Sequence, residues 1–204
     1  VIGAAVTLTR GFIPATISTL KGEWPRPRFS SYHEFSGKTI GIVGFGSIGR
    51  VVAKKANAFG LKCLTYDPVL SGNEVVLEGF QVPLLSLNAL LSQSDAVTLH
   101  LPLLPETKGL FNKDVLSQMK PGACLINTAR GGIVDELALA ECLRSGHLGG
   151  AALDVFSSEP AKDLSHLSGI ENIILTPHIA GVTHESNERV SQMIADEVNL
   201  FLGA

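Results

Sequence analysis

The chemistry-bearing signal most clearly written in the sequence is Gly44-Phe45-Gly46-Ser47-Ile48-Gly49. It falls between a β-branched run at 39–43 and a helical pattern at 48–59. Glycines at this spacing allow a tight turn at Gly44, close approach of an anion to the backbone at Gly46, and close helix–strand packing at Gly49. The helix N-terminus then faces the anion, the arrangement that holds a dinucleotide pyrophosphate. The same glycines also fit a plain strand–helix turn. Asp67 favours the dinucleotide, because it closes the next predicted strand. A carboxylate there can hold the adenosine ribose 2′-OH and would repel a 2′-phosphate, so the pattern prefers NAD to NADP. Taken alone, Asp67 also reads as a loop acid.

The other polar candidates stand where predicted strands end, the edge at which open α/β sheets bind ligands. Arg130 follows 123–127 in Asn127-Thr128-Ala129-Arg130-Gly131-Gly132. Its fork suits a carboxylate, although alone it reads better as a surface charge. Asp154 closes the strand at 149–155 and alone could simply cap a loop. Glu159-Pro160 follows in a loop, and His178 follows Thr176-Pro177. A histidine exchanges protons near neutral pH, so His178 is divided between a catalytic and a surface role. His33, His147 and His166 have loop-like surroundings and read as surface residues. His100 ends a strand near the cofactor signal, where a structural role is an equal reading. No metal-ligand spacing of the His-Glu-x-x-His type occurs, so no metal site is expected. Cys124 reads as core, and no Gly-x-Ser-x-Gly elbow is present.

These residues need a scaffold that carries them to one edge. Helices are predicted at 1–21, 48–59, 84–91, 112–119, 135–144 and 185–202, and strands at 39–43, 63–66, 96–99, 123–127, 149–155 and 173–176. Pro14 is expected to kink the first helix. Residues 22–36 read as an irregular connector whose Trp24, Phe29, Tyr32 and Phe35 need a surface. Strand–helix alternation predicts βαβ units and a doubly wound parallel sheet of Rossmann type. The division expected is a helix and arm at 1–36, a nucleotide-binding domain at 37–184 and a final helix at 185–204.

Composition agrees with this class. The 204 residues are 45% hydrophobic and 17% charged, which excludes a disordered chain. The net charge is −3 and no basic run exceeds Lys54-Lys55, so no nucleic-acid partner is expected. Mean hydropathy is +0.28, yet no apolar run is long enough to span a bilayer, which points to a sheet buried on both faces. Three scattered cysteines and no basic segment before the first apolar stretch predict a reduced, cytoplasmic protein without a signal peptide.

In order, GKTIGIVGFGSIGR, YDP at 66–68, LHLPLLPETKGLF, MKPGACLINTARGGIVDELAL, GAALDVFSSEP and ILTPHIAGVTHES resemble the D-isomer-specific 2-hydroxyacid dehydrogenases over most of the chain. The resemblance implies NAD as cofactor, a small 2-oxo or 2-hydroxy acid as substrate, and Arg130, Glu159 and His178 as the catalytic set. It implies that Asp154 serves the nicotinamide side. Further cofactor contacts fall on Ser47, Ile48, Leu101, Pro102, Thr107, Thr128, Ala129 and Gly181. It implies a homodimer embraced through 1–36. Family members begin with a substrate lobe that this sequence lacks, so it is expected to be the cofactor domain of a longer protein. Phosphoglycerate, glyoxylate or hydroxypyruvate, lactate and sulfolactate types share these motifs, and GVTHESNERVS leans towards the sulfolactate and phosphoglycerate types. Corepressors of the same family, which use the fold as a nucleotide-dependent scaffold, are the alternative.

Overall fold

Gly11 divides the first predicted helix. In the computed structural model, which describes residues 1–203, α1 (Ile2–Thr9) and α2 (Phe12–Leu20) replace it. Gly11 has φ 60°, and a Cβ there would lie 2.4 Å from the Tyr32 ring. The break is therefore at Gly11 and not at Pro14, which sits in the first turn of α2, where its missing N–H costs no hydrogen bond. The connector holds a short helix, α3 (Arg26–Ser30). Its aromatics divide: Phe35 is buried, Phe29 and Tyr32 stack with centroids 5.9 Å apart, and Trp24 stays 80% exposed.

The alternating part follows as β1 (Thr39–Val43), α4 (Ser47–Ala58), β2 (Lys62–Tyr66), β3 (Glu74–Leu77), β4 (Phe80–Pro83), α5 (Leu87–Gln93), β5 (Ala96–Leu99), α6 (Lys113–Ser117), β6 (Cys124–Asn127), α7 (Glu136–Arg144), β7 (Gly150–Leu153), β8 (Ile173–Leu175) and α8 (His184–Leu202). The β3–β4 hairpin is absent from the sequence-based expectation. Its signal is Glu78-Gly79 between two short β-rich runs, with Gly79 at φ 86°. Helix α5 starts later than expected because Ser86 caps it and Leu84 is spent on a bridge to Thr65.

Six parallel strands form one sheet in the order β2-β1-β5-β6-β7-β8. The Thr65–Leu84 bridge lies beside β2, where the usual six-strand order has its third strand, so that strand is reduced here to one contact. Strand order reverses between β1 and β5, which makes the C-terminal end of β1 the switch point. Both faces are covered. Ile40, Ile42, Cys124 and Ile126 join Ala5, Leu8, Val52 and Ala53 of α1 and α4. Val97, Leu99 and Leu125 join Leu90, Leu116 and Leu139 of α5, α6 and α7. Each fully buried leucine contributes about 1.5–3 kcal/mol of transfer free energy. The switch point thus sits on a close-packed base.

Helix α8 is different. Thr183 and Ser186 form a capping box at its start. No residue of the helix is buried, and Val190, Met193, Ile194 and Val198 form an exposed apolar stripe. No described helix is long and apolar enough to cross a membrane.

Candidate active site

The glycine loop sits at the switch point. Gly44 has φ 93°, and a Cβ there would come within 2.7 Å of the His100 carbonyl. A Cβ at Gly49 would lie 2.3 Å from the Gly44 oxygen, whereas one at Gly46 meets nothing within 4 Å. Two glycines are therefore required by packing, and the third leaves an open approach to the backbone. No described side chain caps the start of α4, so its first N–H groups remain for an anion. These features fit a dinucleotide pyrophosphate. Ser47 and Ile48 lie exposed on that first turn.

Asp67 follows β2 directly. Its Oδ2 accepts the Phe45 N–H at 2.7 Å and its Oδ1 accepts the Val69 N–H at 2.9 Å. The carboxylate thus shapes the glycine loop, and each oxygen keeps a second lone-pair direction for a ribose hydroxyl. Leu101 is buried against the same loop. The Thr107 hydroxyl donates to the Pro102 carbonyl at 2.6 Å and accepts the Leu104 N–H at 2.8 Å, which ties those two predicted positions together. His100 is mostly buried beside them with Nε2 3.0 Å from Thr98 Oγ1, and burial pushes its pKa down to about 4, so it is neutral.

Thr128, Ala129 and Arg130 form the loop after β6. Asn127, which sequence reasoning did not single out, organises it. Its buried side chain accepts the Ala129 N–H at 3.1 Å and donates to the Arg130 carbonyl at 3.0 Å. The Arg130 guanidinium is exposed and donates to the Ala129 carbonyl at 2.6 Å. At Gly131 a Cβ would fall 1.7 Å from the Phe156 oxygen, so this loop lies directly on the one that carries Glu159.

Glu159 and His178 meet. Glu159 Oε2 lies 2.7 Å from His178 Nδ1, and Oε1 accepts the Phe156 N–H at 2.9 Å. The hydrogen bond from His178, followed by that from Phe156, holds the Glu159 carboxyl below its usual range. His178 has φ 56°, a left-handed conformation that costs a non-glycine residue about 1–3 kcal/mol. Asp154 supplies what holds it there. The Asp154 carbonyl accepts the His178 N–H at 2.8 Å. Its carboxylate accepts the Thr176 hydroxyl, the Ile179 N–H and the Ala180 N–H at 2.5, 2.9 and 2.8 Å. Burial works against the Asp154 charge, but those bonds prevail and keep its pKa low. Asp154 thus anchors the histidine loop, whose next exposed turn contains Gly181. An open cleft of about 650 Å³ borders Glu159 and His178.

Two histidines depart from the surface reading. His166 is only 22% exposed and its Nε2 lies 3.2 Å from Glu136 Oε2. Partners of this kind arise from loop packing and have no local sequence signal. His147 has a buried Nε2 without a partner among the described residues. Among those residues no cluster of metal-ligating side chains is gathered.

Residues 2–180 match the sequence model of the D-isomer specific 2-hydroxyacid dehydrogenase, NAD binding domain. The chain is 49% identical over 196 residues to the (S)-sulfolactate dehydrogenase of Chromohalobacter salexigens, covering 96% of this chain and 63% of that protein. It is 44% identical over 193 residues to the D-3-phosphoglycerate dehydrogenase of Rattus norvegicus, covering 95% of this chain and 36% of that one. The fold superposes with TM-score 0.85 and 37% identity on a Staphylococcus aureus NAD-dependent formate dehydrogenase in complex with NAD, over 97% of this chain and 58% of that chain. It superposes with TM-score 0.84 and 31% identity on the Aquifex aeolicus D-lactate dehydrogenase complexed with NAD and lactic acid, over 99% and 64%. The chain therefore spans less than two thirds of each of these relatives, and within that span it belongs to the D-isomer-specific 2-hydroxyacid dehydrogenase family as its NAD-binding domain.

Proposed function

We propose that the protein to which this domain belongs interconverts a 2-oxo acid and a D-2-hydroxy acid. The observation that carries the reading is the Glu159–His178 contact at 2.7 Å, beside the Arg130 loop and on the glycine-loop edge of the sheet. NAD(H), when bound, supplies or takes up the hydride. Arg130 grips the substrate carboxylate and polarises the adjacent carbonyl. A carboxylate only accepts, so the Nδ1 proton of His178 points at Glu159 and Nε2 is left for the substrate oxygen. In the reducing direction His178, as imidazolium, donates its Nε2 proton to the developing alkoxide and is left neutral, its Nδ1 proton still on the side of Glu159, which orients the ring and stabilises its charge until the Nε2 proton leaves. Gly44, Gly46, Ser47, Ile48, Gly49 and Asp67 bind the pyrophosphate and adenosine side. Leu101, Pro102, Thr107, Thr128, Ala129, Asp154 and Gly181 line the remainder.

The similarity to a sulfolactate and a phosphoglycerate dehydrogenase favours an acid with a second anionic group. The apolar stripe of α8 is suited to a further lobe that closes the cleft. Free, buried thiols at Cys63, Cys124 and Cys142 favour a reducing compartment such as the cytoplasm. The test is NADH oxidation by the longer parent protein with sulfopyruvate, phosphohydroxypyruvate, hydroxypyruvate and pyruvate. Turnover with one of these supports the reading. NADH binding without turnover of any would favour the scaffold alternative.

A further inference from the structure

Glu136 opens α7, where a glutamate usually faces solvent and serves the helix dipole. Here the capping work is done by Asp135, whose Oδ1 accepts the Leu137 and Ala138 N–H groups. The Glu136 side chain is instead only 13% exposed. Its Oε1 accepts both the N–H and the hydroxyl of Ser157, each at 2.7 Å. Its Oε2 faces His166 Nε2 at 3.2 Å. A carboxylate withdrawn from water is costly unless its oxygens are bonded, and both of these are. Ser157 is the residue after Phe156, whose N–H holds Glu159 Oε1 and whose carbonyl rests against Gly131.

We infer that Glu136 is a positioning residue: by gripping Ser157 it fixes the turn from Phe156 to Glu159, so that the Glu159 carboxylate meets His178, while His166 holds the second oxygen of the grip. The inference rests on the dehydrogenase reading for the importance of Glu159 and His178. The grip itself is independent of that reading. It joins the helix that follows the Arg130 loop to the loop that carries Glu159.

The test measures amide hydrogen exchange and the 15N signals of the His178 ring in the full chain. Glu136→Ala should speed exchange at Phe156 and Ser157 by about 10-fold or more, the loss of bonds to a charged acceptor. It should also move the Nδ1 signal of His178. Glu136→Gln keeps a carbonyl oxygen for Ser157 and should restore most of the protection. In the parent protein Glu136→Ala should lower kcat about 10-fold with the KM for NADH unchanged. Wild-type exchange at Phe156 and an unmoved His178 signal in Glu136→Ala would overturn the inference. So would an equal acceleration at Leu125 and Val97, since that is general loosening. Absence of keto-acid turnover in the wild-type parent would count against the dehydrogenase reading, and exchange and ring signals would still decide the grip.

Discussion

His178 and Glu159 leave different strands, β8 and β7, and still meet at 2.7 Å. Parallel neighbours deliver their following loops to the same edge, so residues distant in sequence converge there. Glu159 is fixed from behind by the Phe156 N–H, and His178 from below by Asp154. The pair is thus set by the fold itself. In the parent protein His178→Gln should lower keto-acid reduction by about 100-fold or more, with NADH binding retained. Turnover near the wild-type rate would remove His178 as the acid.

The pH dependence of stability follows from the depressed carboxyls of Asp154 and Glu159. A carboxylate whose folded pKa is lowered contributes stability above its unfolded pKa, near 4, and loses it as pH falls through the folded value. The melting temperature of the chain should hold steady from neutral pH to about pH 5 and fall below about pH 4. Asp154→Asn leaves one of the Ile179, Ala180 and Thr176 donors badly matched and should cost about 1–3 kcal/mol at neutral pH. It should also flatten the acid limb. An unchanged melting curve at both ends would show that the anchor carries no stability.

Asp67 should make NADH bind better than NADPH, because a 2′-phosphate facing its carboxylate is a like-charge contact. Fluorescence titration of the chain with both cofactors measures this. Asp67→Asn should narrow the preference and also weaken NADH, since the same carboxylate shapes the glycine loop through Phe45. Equal affinities in the wild type would rule out the assigned role.

Two glycines should respond in opposite directions. Gly131→Ala sets a methyl 1.7 Å from the Phe156 oxygen. Backbone on both sides leaves little room to yield, so about 3 kcal/mol or more of stability should be lost. Gly3→Ala adds a methyl in open space within α1 and should stabilise by about 0.5–1 kcal/mol. Chemical denaturation of both variants compares them directly, and a neutral Gly131→Ala would contradict the loop contact.

The apolar residues of the N-terminal segment are a prediction about assembly. Leu20 and Trp24 are 82% and 80% exposed, and Phe12 and Ile17 lie beside them on α2 at 49% and 43%. Such residues on one segment are expected to bury against a second copy. Sedimentation of the chain at micromolar concentration should give a dimer. Leu20→Glu with Trp24→Glu should give a monomer that still binds NADH. A wild-type monomer would end the proposal.

The alternating elements were legible because their signals are local. Strand runs and the glycine turn at 44–49 depend on neighbours a few residues away. The position of the polar candidates was legible for a related reason: each stands at the punctuation after a strand, although their roles came only from the family resemblance. What the sequence alone left open were roles that distant partners decide. The first helix breaks not at Pro14 but at Gly11, where the chain turns left-handed at φ 60° and only a residue without a Cβ fits beside the Tyr32 ring. Asp154 is an anchor because Thr176, Ile179 and Ala180 return to it from the next strand. Asn127 shapes the Arg130 loop from within a buried strand. His166, read as a surface residue in the sequence, and Glu136, which the sequence did not single out, become largely buried partners only once the helix and the loop after β7 pack together. Local propensity places the elements along the chain, whereas burial and hydrogen-bond satisfaction between segments far apart in sequence decide which side chains act together.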